Sequence, residues 1–147
     1  MIRRATRDDS EEVRVIMEQM EWHTFDPKEF REFYWKALED DRYLMWVYEA
    51  DGKAVGFISL LIKTPIHHIR TTGEVVELAV HEDYRNRGIG SELLLYLHDY
   101  AREHDLLEVE LNSKKIRLDA HRFYFRHRYE DLRNNLTFEF DKGAEHD

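Results

Sequence analysis

Apolar residues recur along this chain with two periods, one helical and one alternating, and the switches between them lay out the elements. Ile2 to Ala5 predicts a short strand. Val13, Ile16, Met17 and Met20 then recur at helical spacing, with Asp8, Asp9 or Ser10 available as the cap. A second helix is expected from Pro27, after Asp26 as its cap, with Phe30, Phe33, Tyr34, Ala37 and Leu38 along one stripe. Trp22, His23 and Phe25 fall between the two helices. Tyr43 to Tyr48 and Val55 to Ile62 are rich in aromatic, β-branched and other apolar residues, and Asp51 with Gly52 supplies the tight turn of a hairpin.

A loop rich in His and Thr, Thr64 to Thr72, leads to a third long strand, Val75 to Val80. Ser91 to Glu103 reads as a helix that offers Leu94, Leu95, Leu97 and Tyr100 to a core, and Leu106 to Leu111 alternates apolar with acidic residues like a strand. A last helix is expected over Leu118 to Arg126, a turn at Asn134 and Asn135, and a final strand over Leu136 to Phe140. The order is βααβββαβαβ. It implies an α/β (α+β) domain spanning residues 1–147, with a mixed central sheet, antiparallel at the hairpin and parallel across the later helix, and helices on its faces.

Composition narrows the function classes. Apolar residues make up 42% of the chain, enough for one packed core and against disorder. No apolar run approaches the roughly 20 residues that span a bilayer, so a cytoplasmic protein without a membrane role is the default expectation. The absence of cysteine removes disulfides, a thiol nucleophile and thiolate metal sites. Twenty-two basic against 31 acidic side chains give a net charge of -9, which disfavours nucleic acid and suits a cationic small-molecule partner, or serves only solubility. Nine histidines raise the question of a metal, yet the one adjacent pair, His67 and His68, has no Cys or acidic residue at ligand spacing, and no metal is expected.

The segment with the clearest chemistry is Arg85-Asn86-Arg87-Gly88-Ile89-Gly90, placed where a strand turns into a helix. A helix start leaves backbone N–H groups without intrahelical partners and carries partial positive charge, so it favours an anion. Gly88 and Gly90 have no side chains to keep a phosphate away, and Arg85 and Arg87 add charge and donors. The segment lacks the lysine of a nucleotide-triphosphate loop and the third glycine of a dinucleotide fold. A pyrophosphate held by the turn is the expectation.

Glu77-Leu78-Ala79-Val80-His81-Glu82-Asp83-Tyr84 with this turn and Ser91-Glu92-Leu93-Leu94 resembles the acetyl-CoA motif of the GNAT superfamily of N-acetyltransferases, Arg/Gln-x-x-Gly-x-Gly/Ala. A second segment, Asp119-Ala120-His121-Arg122-Phe123-Tyr124, is similar to that superfamily's Ala-x-x-Phe-Tyr signature. The resemblance covers about the whole chain. It implies a GNAT fold with a central twisted sheet of about six to seven strands, and transfer of acetyl from acetyl-CoA to a primary amine by direct attack in a ternary complex.

On that resemblance Leu78, Ala79 and Val80 pair with the pantetheine arm, with a bulge there to splay the sheet, and Arg85, Arg87, Gly88, Ile89, Gly90 and Ser91 hold the pyrophosphate. Tyr124 protonates the departing thiolate. A carboxylate is needed to deprotonate an ammonium acceptor, and Glu77 or Glu74, or a water chain from one, is the candidate base. His127-Arg128-Tyr129 departs from the usual Gly before an aromatic residue. Arg117 stands where many members have an asparagine, so Asn112 or Ser113 is the substitute cofactor contact.

The acceptor follows no motif. Trp22, Phe25, Phe33, Tyr34 and Trp35 either line its pocket or fill the core, with core the better reading. Aminoglycosides, polyamines, amino acids and protein amines all fit, and a homodimer is an expectation of the family only. A CoA-binding sensor or interaction module without turnover is the alternative from another class.

Overall fold

In a computed structural model, the structure describes residues 1–111 together with 138 and 139. The chain divides into two compact units, Met1–Leu111 and Asn112–Asp147. Asn112, the expected last helix with Tyr124, and most of the expected final strand lie outside the described residues.

The first unit holds a five-stranded sheet in the order β1-β2-β3-β4-β5, with β1 Ile2–Arg4, β2 Tyr43–Ala50, β3 Lys53–Lys63, β4 Thr72–Val80 and β5 Val109–Leu111. The first four strands pair antiparallel and β4 pairs parallel with β5, as the crossover through a helix demands. The helices are α1 Ser10–Glu21, α2 Pro27–Leu38 and α3 Ile89–Glu103. Asp51 and Gly52 both take positive φ, 54° and 75°, the geometry of the tight hairpin turn expected there.

Asp26 caps α2 by accepting from Glu29 N at 2.9 Å, with Pro27 in the first turn. Asp9 precedes α1 but does a different job. Its carboxylate accepts from Thr6 N at 2.8 Å and from both terminal nitrogens of Arg3, each at 2.8 Å, closing a 3-10 turn that precedes the helix.

Alternation along the strands sorts their side chains onto two faces. Met45, Val47, Ala54 and Phe57 pack with Val13, Ile16, Met17 and Tyr34 of α1 and α2. Leu44, Trp46, Ile58 and Leu60 are buried on the other face, where the Trp46 ring meets Tyr100 of α3 at 5.1 Å. Strand β3 lies between these layers, and Ala54 through Leu60 are all buried. A Cβ on Gly56 would stand 2.9 Å from Ile89 Cγ2 and 3.0 Å from Leu93 Cδ1, so this glycine lets the start of α3 settle on β3.

Several expectations are corrected here. Phe33 and Trp22 are 74% and 77% exposed, so neither is core; among the five aromatic candidates only Tyr34 is buried, and Phe25 and Trp35 pack at its margin. Leu95 faces outward, while Ile89 and Leu93 supply the core contacts that its prediction assigned elsewhere. The His67 and His68 rings lie 4.2 Å apart in a turn rather than on opposite sides of an extended segment, because the chain turns back there with His68 N donating to Pro65 O. Helix α3 begins at Ile89, two residues before the predicted start, and β4 begins at Thr72, three before.

Candidate active site

Two structural irregularities in β4 and its exit build the site. The first is a bulge. Ile58 pairs with Leu78 and Leu60 with Val75, so Val76 and Glu77 together oppose Ser59. In a regular strand Glu77 would share the face of Val75, under α3. The extra residue moves it to the α1/α2 face, which Ser59 shares with its cross-strand partner Met45. The bulge falls at residues 76 and 77, just before the stretch 78–80 where it was expected.

The bulge also takes the Glu77 N–H off the backbone ladder, and Ser59 Oγ accepts it at 2.9 Å. The Ser59 hydroxyl then donates to Glu77 Oε1, as does the Tyr43 hydroxyl. Burial, reinforced by the charge of Glu77, pushes the Tyr43 phenol well above its ordinary range, so it remains a donor. Ser59 is fully buried. Sequence reading found Glu77 and missed both partners, although a serine within the apolar run of β3 was the available signal.

Glu74, the other candidate base, is occupied differently. Lys63 Nζ donates to Glu74 at 3.3 Å and also to Glu110 of β5. Burial alone would lower the Lys63 ammonium, but Glu110 and then Glu74 outweigh it and its pKa rises. By register these groups share the face of Tyr43, since Leu61 pairs with both Tyr43 and Glu74, and Glu74 with Glu110. The patch contains three carboxylates and one ammonium.

The second irregularity is the exit of β4. Among the described residues, pairing of β4 with β5 runs from Gly73 with Val109 to Val75 with Leu111. His81 N donates to Val55 O at 2.8 Å, so by antiparallel alternation Leu78 and Val80 turn their polar backbone groups away from β3. Among the described residues, β5 does not reach that edge of 78–80. Arg85 Nε donates to Val80 O at 3.1 Å and braces the loop there.

Asn86 and Gly88 both take positive φ, 65° and 80°. Gly88 is the N-cap of α3 and offers no side-chain cap, so the first N–H groups of the helix are left to other partners. A Cβ on Gly88 would meet nothing within 4 Å, so the glycine there answers to backbone angle and not to crowding. The Arg87 guanidinium lies 4.9 Å from the centre of the Tyr84 ring, whose hydroxyl donates to Asp51 at 2.8 Å. Ile89 is buried, and Gly88 and both arginines are exposed.

A family model described as the acetyltransferase (GNAT) family matches residues 10–128. The chain belongs to the GNAT acetyltransferase family. This GNAT protein is 33% identical over 136 residues to an aminoalkylphosphonate N-acetyltransferase of Salmonella typhimurium, covering 92% of the chain and 88% of the relative. It is 29% identical over 112 residues to streptothricin acetyltransferase A of Bacillus subtilis, covering 72% and 64%. A ribosomal-protein-alanine N-acetyltransferase from Brucella melitensis biovar Abortus has the same fold, with a TM-score of 0.81 at 20% identity over 95% of this chain and 99% of that one. The fold also recurs in a protein described as a transcriptional regulator from Bacillus halodurans, at a TM-score of 0.86 and 20% identity over 95% and 99%. Among the described residues, no helix is long and apolar enough to cross a membrane, and no three His, Asp or Glu side chains cluster as metal ligands would.

Proposed function

We propose that this GNAT protein transfers the acetyl group of acetyl-CoA to a primary amine of a small molecule by direct attack in a ternary complex. The observation that supports it best is the combination of a β4 backbone edge at 78–80 that no strand pairs among the described residues with a left-handed glycine that starts α3 without a side-chain cap. A strand edge accepts an extended amide chain, and an uncapped helix start accepts a pyrophosphate. The donor set therefore fits acetyl-CoA, which supplies its acetyl group already activated as a thioester.

In this reading Leu78 and Val80 offer backbone groups to the pantetheine arm, with Ala79 between them facing the core. The N–H groups of Arg87 to Ser91 hold the pyrophosphate, with charge from Arg85 and Arg87. Glu77 takes the proton from the acceptor's ammonium at its carboxylate. Tyr124, assigned on the sequence motif alone, gives a proton to the leaving sulfur, and Asn112 or Ser113, the substitute for the asparagine that the motif has where Arg117 stands, adds a cofactor contact. The acidic surplus around Lys63 suits an ammonium. The named acceptors of the two relatives are small molecules, which supports that class here.

Release of free thiol from acetyl-CoA, measured over a panel of aminoalkylphosphonates, streptothricin, polyamines, amino acids and peptides, tests the proposal. Turnover on a small amine is expected, with Tyr124→Phe lowering kcat about 10²-fold or more while acetyl-CoA binding persists. Binding of CoA without turnover on any of these amines would overturn it.

A further inference from the structure

We infer that Tyr43 and Ser59 are positioning residues that fix the Glu77 carboxylate for proton transfer, leaving Oε2 as the oxygen that receives the proton. The inference rests on the reading of Glu77 as the base. Its foundation is the convergence of three strands on one carboxylate oxygen. Tyr43 of β2 and Ser59 of β3 both donate to Oε1, while the Glu77 backbone N–H donates back to Ser59 Oγ.

The serine thus closes a small ring through both the backbone and the side chain of one residue. A carboxylate so held loses its freedom to rotate, and Oε1 already accepts two hydroxyls, so neither donor engages Oε2. The bulge supplies the reason for this arrangement. It displaces Glu77 across the sheet and removes its N–H from the ladder, and Ser59 compensates both changes with one hydroxyl. Without Ser59 the Glu77 N–H would lack this acceptor, so the serine supports the bulge as well as the charge.

The charged groups on the same face are Lys63, Glu74 and Glu110, which are engaged with one another, and at its β1 margin Arg3, which is paired with Asp9 and Glu49. From α1, the Gln19 side chain accepts from Glu82 N at 2.9 Å and Glu12 from Ala54 N at 2.8 Å. The hydrogen bonds that Glu77 makes within the first unit therefore come from β2 and β3.

The test is acetyl transfer by the full chain to 2-aminoethylphosphonate, or to the fastest amine of the panel, with kcat and KM read separately. Tyr43→Phe and Ser59→Ala should each lower kcat about tenfold while KM for acetyl-CoA is unchanged, because a misplaced base costs rate and not cofactor binding. In the Glu77→Gln background neither substitution should lower kcat further. Should Ser59→Ala fail to fold, Tyr43→Phe decides alone, because it keeps the ring and removes only the hydroxyl.

An unchanged kcat in Tyr43→Phe, with Glu77→Gln still impaired, overturns the positioning role while leaving Glu77 as the base. Full activity in Glu77→Gln overturns Glu77 as the base, and with it the catalytic meaning of the two hydroxyls.

Discussion

The two faces of the sheet are built from the same strands and put to different uses. Under α3 the contacts are apolar and tight: Trp46, Ile58, Leu60, Leu93, Leu94 and Leu97 are each at most 2% exposed, and one glycine is needed for the helix to fit. On the α1/α2 face the apolar packing stops partway along the strands, and Tyr43, Ser59, Glu77, Lys63, Glu74 and Glu110 continue it as a polar patch. One face is organised for stability and holds α3 so that its first turn points at the end of β4. The other gives up apolar burial to hold a carboxylate in a defined place.

The strongest way to sharpen this contrast is Glu77→Gln. Loss of a general base should lower kcat/KM by about 10²–10⁴-fold, with an unchanged fold by circular dichroism. A variant with full activity would remove catalysis from that face. Gly56→Ala makes the opposite case. The added methyl meets Ile89, Leu93 and the Tyr48 Cβ at 3.2 Å or less, so overpacking should cost about 1–3 kcal/mol in urea unfolding. Because the strained contacts lie in the first turn of α3, acetyl-CoA affinity should fall as well. Wild-type stability in Gly56→Ala would show that the α3 face is looser than its distances say.

A third effect separates the margin of the α1/α2 face from its patch. Burial alone would raise the Asp9 carboxyl, but Arg3 and Thr6 together bring it below the ordinary carboxylate range. A carboxyl whose folded pKa is depressed adds stability that is fully present above its unfolded value, about 3.9, and is lost as pH falls through the folded value. The stability difference between wild type and Asp9→Asn should therefore be constant, at about 1–3 kcal/mol, near neutral pH and shrink below about pH 4. Urea titrations at several pH values measure it, and a difference that grows on acidification would reverse the assignment. The least effect is expected at Phe33→Ser, within about 0.5 kcal/mol by thermal melting, since the ring is mostly in solvent.

Much of the fold was legible because local rules decided it. The Asp51-Gly52 turn, the Asp26-Pro27 helix start and the periodic stripe of α1 depend on residues within a turn of one another, and each stands where the pattern placed it. The GNAT assignment was legible for a similar reason, since the strand, turn and helix start form one continuous segment. The misses had a common cause. Phe33 and Leu95 satisfy the helical period as well as their buried neighbours do, and only the partner surface tells which edge of a stripe is covered. A boundary such as the start of β4 at Thr72 was hidden in a polar loop, because pairing with β3 and β5 extends the strand regardless of its own propensity.

The sequence by itself determined the order of elements through β5, the glycine turn before α3 and a carboxylate on β4 near it. Tertiary structure alone decided which face that carboxylate occupies, because one bulge residue inverts the alternation on which any reading of a strand depends. It also decided what holds the carboxylate. Tyr43, Ser59 and Glu77 are 16 and 18 residues apart in the chain, and no local period links them; three paired strands bring their oxygens within hydrogen-bonding reach.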